Sequence, residues 1–286
     1  MIQYPQQTEL NGDYIRKKIE EFILEDLPSG DITTAGTVNN SSKSTAVIQA
    51  QDDLVFAGAM IVPYFFDESF NIEMLQQDGD FVKNGTILFK VSGKTSHILS
   101  VERVMLNLLQ RLSGIATMTR KYVEIAKLYG VKILDTRKTT PGLRLFEKYA
   151  VTVGGGTNHR LDLSSGILIK DNHIKAAGSI KKAIEIIRQI NYDKPVEVEV
   201  ENFEELQEGL SAGADGFLLD NMSPEKIIKA VEIIRMFPNG EQLFVEASGG
   251  INLSNLKAYV STGVNAISTG AITHSVKAAN IHLEFL

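Results

Sequence analysis

From about residue 131 to residue 271 the chain alternates short apolar runs with segments of helical spacing, which restricts it to folds built on a parallel sheet. The runs are VKILDT (131–136), GILIKD (166–171), VEVEVE (196–201), GFLLDN (216–221), LFVEASGG (243–250) and NAISTGA (265–271). Between them lie amphipathic stretches such as SIKKAIEIIRQI, NFEELQEGLSAGA and SPEKIIKAVEIIRMF. Repeated βα units bring the C-terminal ends of their strands to one edge of a parallel barrel, where active sites form. The polar residues ending these runs, among them Asp135, Lys170, Glu199, Asp220, Ser248 and Thr269, are therefore expected around one mouth. The recognisable strands fall short of eight, so the expected α/β fold is an incomplete or distorted (β/α) barrel.

The first third reads differently. A helical segment (13–26) leads through SGDITT to strand-like KSTAVIQAQDDLVFAGAMI, an amphipathic stretch near 60–70 and the turn-punctuated DGDFVKNGTILFKVSG, an α+β pattern. That last segment shares the turn spacing of biotinyl or lipoyl carriers but lacks their lysine in a short exposed turn; hairpin turn chemistry at Gly79 and Gly85 accounts for it. Residues 100–130, long and apolar-periodic, are expected to be helical and to join the halves. The expected domains are an N-terminal α/β sandwich over 1–107 and a barrel over 108–272, packed together without a low-complexity linker.

Composition narrows the chemistry. With 43% hydrophobic and 22% charged residues among 286, the chain is globular rather than disordered. A net charge of −6 argues against a surface given over to nucleic acid or anionic lipid. The absence of cysteine removes disulfides, thiolate catalysis and cysteine-bound metals, so any metal must be held by oxygen or imidazole. No basic segment followed by an apolar stretch opens the chain and no run of about 18 uncharged apolar residues occurs, so a cytoplasmic location is expected.

Against that acidic background, cations gather in residues 135–173. Arg137, Lys138, Arg144, His159, Arg160 and Lys170 recur beside turn-forming residues rather than along a basic helix, a pattern suited to a small polyanion. SGG (248–250) and STGA (268–271) follow successive strands, where backbone N–H groups can bind a phosphate. Glu199 and Asp220 end neighbouring strands and suit Mg²⁺ or sugar hydroxyls beside a polyphosphate. Glu197 and Glu201 are expected on a solvated edge, Asn172 and His173 as supports for Lys170, and His97, His274 and His282 as structural.

Taken together, TRKTTPG, GGGTNHR, LIKDNH, SGDITT, the late SGG and STGA loops and ERVMLNLLQRLSGIAT resemble the quinolinate phosphoribosyltransferase family over nearly the whole chain, with no motif residue departing from its pattern. The resemblance implies transfer of phosphoribose from 5-phosphoribosyl-1-pyrophosphate to quinolinate with loss of CO₂ and pyrophosphate, Mg²⁺ as cofactor, and no pyridoxal phosphate or thiamine. It implies that Thr136, Arg137, Lys138, His159, Arg160 and Lys170 line the substrate pocket, that Glu199 and Asp220 meet Mg²⁺ and ribose hydroxyls, and that Ser248, Gly249, Gly250, Thr269 and Gly270 meet the 5′-phosphate. Lys138, Lys170, Glu199 and Asp220 are its implied catalytic groups, and Arg103 is implied to enter the partner's site in a homodimer, with a hexamer as a further assembly. It also implies that residues 273–286 return to the first domain. The alternatives are the related protein of molybdenum-transport operons, a non-catalytic phosphate-ligand-binding protein, and a nicotinate-specific transferase.

Overall fold

The computed structural model describes residues 2–190 and 193–286. The chain forms two compact units, each assembled from separated stretches of sequence. One combines Gln7–Arg120, Gly142–Gly155 and Ser275–Leu286; the other combines the residues up to Gln6 with Lys121–Pro141 and Gly156–His274.

The first unit begins with helix α1 (Gly12–Asp26) and the short α2 (Ile32–Thr37). Strands β1 (Lys43–Ala50), β2 (Leu54–Val55), β3 (Asn71–Met74), β4 (Phe81–Val82) and β5 (Ile87–Lys94) follow, then the long helix α3 (Thr95–Lys127). After β6 (Lys132–Leu134) comes α4 (Arg144–Val153). The barrel unit continues with β7 (Ile167–Ile169), α5 (Asp171–Ala177), α6 (Ile180–Gln189), β8 (Val196–Val200), α7 (Phe203–Ser211) and β9 (Gly216–Asp220). It ends with α8 (Pro224–Met236), β10 (Phe244–Ser248), α9 (Leu256–Val260), β11 (Ala266–Ser268) and α10 (Ala271–His274), before the final strand β12 (Ile281–Phe285).

In the α+β unit an antiparallel sheet runs β12-β1-β5-β3, so residues 281–285 pair along β1 from Ala46↔Phe285 to Ala50↔Ile281. β4 pairs with β2 in a separate two-stranded sheet, not with β5, which corrects the hairpin expected over DGDFVKNGTILF. The turn residues keep their role: Gly79 and Gly85 both have positive φ, and Asp53 accepts the Asn84 N–H at 3.0 Å to fix the turn leaving β4. Asp78 is a second organiser, accepting N–H groups from Gly58, Ala59 (2.9 Å) and Met60 (3.2 Å) and the Tyr149 hydroxyl (2.6 Å).

Helix α4 occupies what the sequence presented as part of a basic loop region. Its Phe146, Tyr149, Ala150 and Val151 are buried, and interleaved Arg, Glu and Lys hid this apolar spacing. Arg144 is its first residue, on the α+β unit.

The barrel unit holds a parallel sheet in the order β6-β11-β10-β9-β8-β7. All six expected runs form strands, and the near-complete burial of β9 and β10 reflects helix cover on one side and barrel interior on the other. Side-chain caps start the outer helices: Ser179, Asn202 and Ser223 accept N–H groups of Lys182, Glu205 and Lys226 at the starts of α6, α7 and α8. β6 and β7 do not pair with one another among the described residues; β6 gains only a parallel bridge, Leu134↔Thr157, at its free edge. The barrel is incomplete, as the short strand count required. Ile2 packs with Leu134, Phe244 and Ala266 in a buried cluster, with Tyr4 against it, so the N-terminal segment supplies part of the barrel core.

Candidate active site

The C-terminal ends of the parallel strands surround a cleft of about 530 Å³. Thr136, Arg137 and Lys138 reach it from the loop after β6, His159 and Arg160 from the segment after the Thr157 bridge, and Lys170 from the end of β7. Glu199 and Asp220 enter from β8 and β9; Ser248, Gly249, Gly250, Thr269 and Gly270 close the opposite side. Every site residue expected from the barrel half lines this one cleft. Arg103 lies exposed on α3, in the α+β unit.

Backbone placement is fixed largely by contacts between segments distant in sequence. Asp135, fully buried at the end of β6, accepts from Asn158 Nδ2 at 2.7 Å and from the His159 N–H at 2.9 Å, fixing where His159 and Arg160 emerge. Gln6 bonds the same segment twice, accepting the Asn158 N–H at 2.7 Å and donating to its carbonyl at 3.1 Å. Thr136 Oγ1 accepts the Lys138 N–H at 3.0 Å, and Thr273 donates to the Lys138 carbonyl at 2.8 Å, so α10 holds the Arg137–Lys138 loop. Lys170 caps α5: its N–H donates to His173 Nδ1 at 2.9 Å, the supporting role expected of His173.

The cations are arranged for an anion. Arg160 is buried with Nη1 on the Gly166 carbonyl at 3.1 Å; burial and then the nearby Arg137 guanidinium depress its proton affinity. Arg137 Nε is itself buried and has no acceptor among the described residues. Two mutually repelling guanidiniums with an unused donor in a cleft favour a ligand carrying at least two negative oxygens. The Lys170 ammonium is ion-paired with Glu199 across the ends of β7 and β8.

The far wall is built from backbone. Gly249 and Gly250 have φ of +94° and +63°, and a Cβ at Gly249 would strike the side chain and N–H of Asn221. Asn221 is itself left-handed (φ 53°), donates its N–H to Ser248 O at 3.0 Å and its Nδ2 to Asp220 Oδ2 at 2.6 Å. Thr269 donates to the Ile251 carbonyl at 2.8 Å, tying the two glycine loops together. At Gly270 a Cβ would lie 2.6 Å from the His274 ring and 3.1 Å from Lys138 Cδ. His274 therefore lines the cleft rather than being merely structural, and the pairing of a glycine with a histidine one helical turn on was its sequence signal.

Glu197 is not on a solvated edge. It is fully buried inside the barrel with Glu246, and Tyr4 donates to its Oε2 at 2.6 Å. Burial pushes the Glu197 carboxyl up to about 7. Burial first, and Glu197 next, hold Glu246 well above the usual carboxylate range. The alternating VEVEV run resembled a half-exposed strand; the barrel interior buries both faces, while Glu201 just beyond is exposed.

Among the described residues no helix is long and apolar enough to cross a membrane. The family model described as "Quinolinate phosphoribosyl transferase, C-terminal domain" matches residues 115–284, and its N-terminal counterpart matches 31–113. The chain is 43% identical to the probable nicotinate-nucleotide pyrophosphorylase (carboxylating) of Bacillus subtilis, over 96% of this chain and 94% of that one. It is 41% identical to the likewise named protein of Synechocystis over 90% and 88%. The solved nicotinate-nucleotide pyrophosphorylase of Francisella tularensis superposes with a TM-score of 0.91 at 37% identity, covering 99% of this chain and 100% of that one. With both domain models matched in order and strand-end cations, carboxylates and glycine loops meeting in one cleft, the chain belongs to the quinolinate phosphoribosyltransferase family.

Proposed function

We propose that the protein transfers phosphoribose from 5-phosphoribosyl-1-pyrophosphate to quinolinate, releasing pyrophosphate and CO₂ and forming nicotinate mononucleotide. The observation carrying this reading is the pairing of buried Arg160 with half-buried Arg137, whose buried Nε donor is unused among the described residues. A pyridine dicarboxylate supplies two anionic groups to two guanidiniums; a monocarboxylate leaves one desolvated cation without a partner.

Lys138 and Lys170 serve the phosphates, with Lys170 exchanging part of its Glu199 pairing for substrate. The N–H groups of Gly249, Gly250 and Gly270 take the 5′-phosphate, with Ser248 and Thr269 beside them, because glycine lets the backbone approach. Glu199 and Asp220 face the ribose, where positive charge grows as pyrophosphate leaves, and stabilise it electrostatically. Once the pyridine nitrogen bonds to C1 of the ribose it is cationic; as the neighbouring carboxylate leaves as CO₂, the electron pair stays on the adjacent ring carbon, where the positive nitrogen stabilises it until a proton takes it and replaces the lost group.

Mg²⁺ fits these residues: two carboxylates from adjacent strands border the cation-lined cleft, and this cation takes few protein oxygens when a pyrophosphate provides others. Held by Glu199 and Asp220, it supplies charge neutralisation on the leaving pyrophosphate. A homodimer, with Arg103 entering the partner's cleft, and a cytoplasmic location complete the proposal.

The test is incubation of the purified protein with Mg²⁺, phosphoribosyl pyrophosphate and either quinolinate or nicotinate. Nicotinate mononucleotide and CO₂ from quinolinate alone are expected; product from nicotinate, or none from either substrate with folded protein, would overturn the reading.

A further inference from the structure

Lining the floor of the cleft is a buried group to which the proposed substrate contacts give no role. His159 Nε2 sits 3.5 Å from Glu246 Oε2 and 3.7 Å from Glu197 Oε2, and one ring face stacks on Tyr4 with centroids 4.4 Å apart and planes inclined at 24°. His159, Glu197 and Glu246 are the one trio of metal-ligating side chains found among the described residues, their ligand atoms within 4.8 Å of one another. The other ring nitrogen decides what this trio is. The Arg160 backbone N–H donates to His159 Nδ1 at 2.7 Å, so Nδ1 presents its lone pair. A neutral ring then carries its proton on Nε2, the atom a metal would need. The surroundings of Nε2 agree: facing two carboxyl oxygens, an N–H is attracted and a lone pair repelled. The separations are longer than a full hydrogen bond, so the attraction is between charge and dipole. A carboxylate and the carbonyl oxygen of a carboxylic acid both favour N–H there, so the assignment does not depend on how many protons the two glutamates hold. An imidazolium is disfavoured because its Nδ1–H would face the Arg160 N–H.

We propose that Tyr4, Glu197 and Glu246 hold His159 in its neutral Nε2–H tautomer, making it a positioning residue for Arg160 rather than a cation of the anion site. The coupling is direct: the ring that accepts the Arg160 N–H is clamped by the Tyr4 stack on one face and by the two glutamates at Nε2, while the Tyr4 ring also lies against the backbone of Gly166, whose carbonyl takes the Arg160 guanidinium. The charged and titratable groups around this ring include Glu197, Glu246, Tyr4, Arg160 and Asp135, the last accepting its backbone N–H, with Lys170 acting on both glutamates and Arg137 on Arg160. The kinetic part of the proposal rests on the quinolinate reading; the spectroscopic part does not.

The ring ¹⁵N resonances of His159 in the full-length, substrate-free protein provide the test. One pyridine-type Nδ1 and one pyrrole-type Nε2 are expected, unchanged across the pH range in which a free histidine titrates. Two pyrrole-type nitrogens, or the reverse tautomer, would overturn the assignment. So would loss of the Nε2 proton on adding stoichiometric Zn²⁺ alone, which would make the trio a metal site. Kinetically, Glu246→Gln keeps a carbonyl acceptor and should hold the quinolinate KM within about twofold, whereas Glu246→Leu should raise it on the order of tenfold with the phosphoribosyl pyrophosphate KM unmoved. Should the leucine variant fail to fold, Tyr4→Phe, which keeps the stack and removes the donor to Glu197, should shift the quinolinate KM alone in the same direction. Equal movement of both KM values would reject positioning of Arg160. Absence of quinolinate turnover in the wild type would count against the functional reading while leaving the tautomer to be decided by the resonances.

Discussion

Lys170 and Glu199 end the adjacent strands β7 and β8 and form an ion pair inside the cleft, so one cation and one carboxylate of the proposed reaction already neutralise one another without substrate. Lys170→Met removes a phosphate partner and leaves Glu199 without its counterion. Activity with quinolinate should fall by roughly 10²–10³-fold, as for loss of one positioned charge-stabilising donor. Because the Lys170 side chain is 39% exposed, thermal stability should change little. Steady-state kinetics beside a melting curve checks both halves; a large melting shift would recast Lys170 as structural.

The Arg137–Arg160 pair makes an opposite-sign prediction. Arg160 is disfavoured as a cation by burial and then by Arg137, so Arg137→Ala relieves repulsion in the ligand-free protein. The variant should melt no lower than wild type and lose quinolinate turnover by on the order of 10²-fold or more. Arg137→Lys should recover only a small part of that loss, because an ammonium lacks the planar fork. Differential scanning calorimetry with and without quinolinate separates the two effects.

What the sequence made legible follows physical periodicity. The βα alternation yielded all six barrel strands, and the strand-end rule brought Lys170, Glu199 and Asp220 to one mouth without further help. Glu197 was misjudged because period-two alternation signals a half-exposed strand only where one face meets water, and inside a barrel it does not. α4 was hidden because its apolar stripe carries charges between its turns. The roles of Tyr4 and Gln6 depend on contacts with residues more than 150 positions away, which no local pattern records.

The left-handed Gly249 predicts a sharp backbone effect. Its φ of +94° and the approach of Asn221 leave no room for a Cβ, so Gly249→Ala should cost about 1–3 kcal/mol of stability and displace the loop. The phosphoribosyl pyrophosphate KM should rise more than that of quinolinate. Gly36→Ala, at a position where a Cβ meets nothing within 4 Å and φ needs no glycine, is the control expected to leave both constants unchanged.

The buried glutamates give stability a pH dependence of defined sign. Glu197, pushed up to about 7 from 4.5, and Glu246, also raised, bind more protons folded than unfolded. Their contribution is complete below about pH 4.5 and is lost as pH rises, for Glu197 through about 7. Between those limits the unfolding free energy should decline with pH. Glu246→Gln should flatten the slope; chemical denaturation at a series of pH values measures it, and a slope unaltered in the variant would locate the protons elsewhere.

Arg103 supplies the prediction that bears on assembly. It is exposed on α3, and the proposed homodimer gives it a place in the partner's cleft. Arg103→Ala and Lys138→Ala chains should each be inactive alone yet fold and dimerise normally. In a hybrid dimer, the cleft of the Arg103→Ala chain retains its own Lys138 and receives Arg103 from the other chain, so one of its two sites is whole. Random exchange makes half the dimers hybrid, and recovery should approach about a quarter of wild-type activity for a closed two-fold assembly. Hybrids verified by mass spectrometry that recover nothing would show that Arg103 does not act across the interface, leaving each cleft to the residues of its own chain.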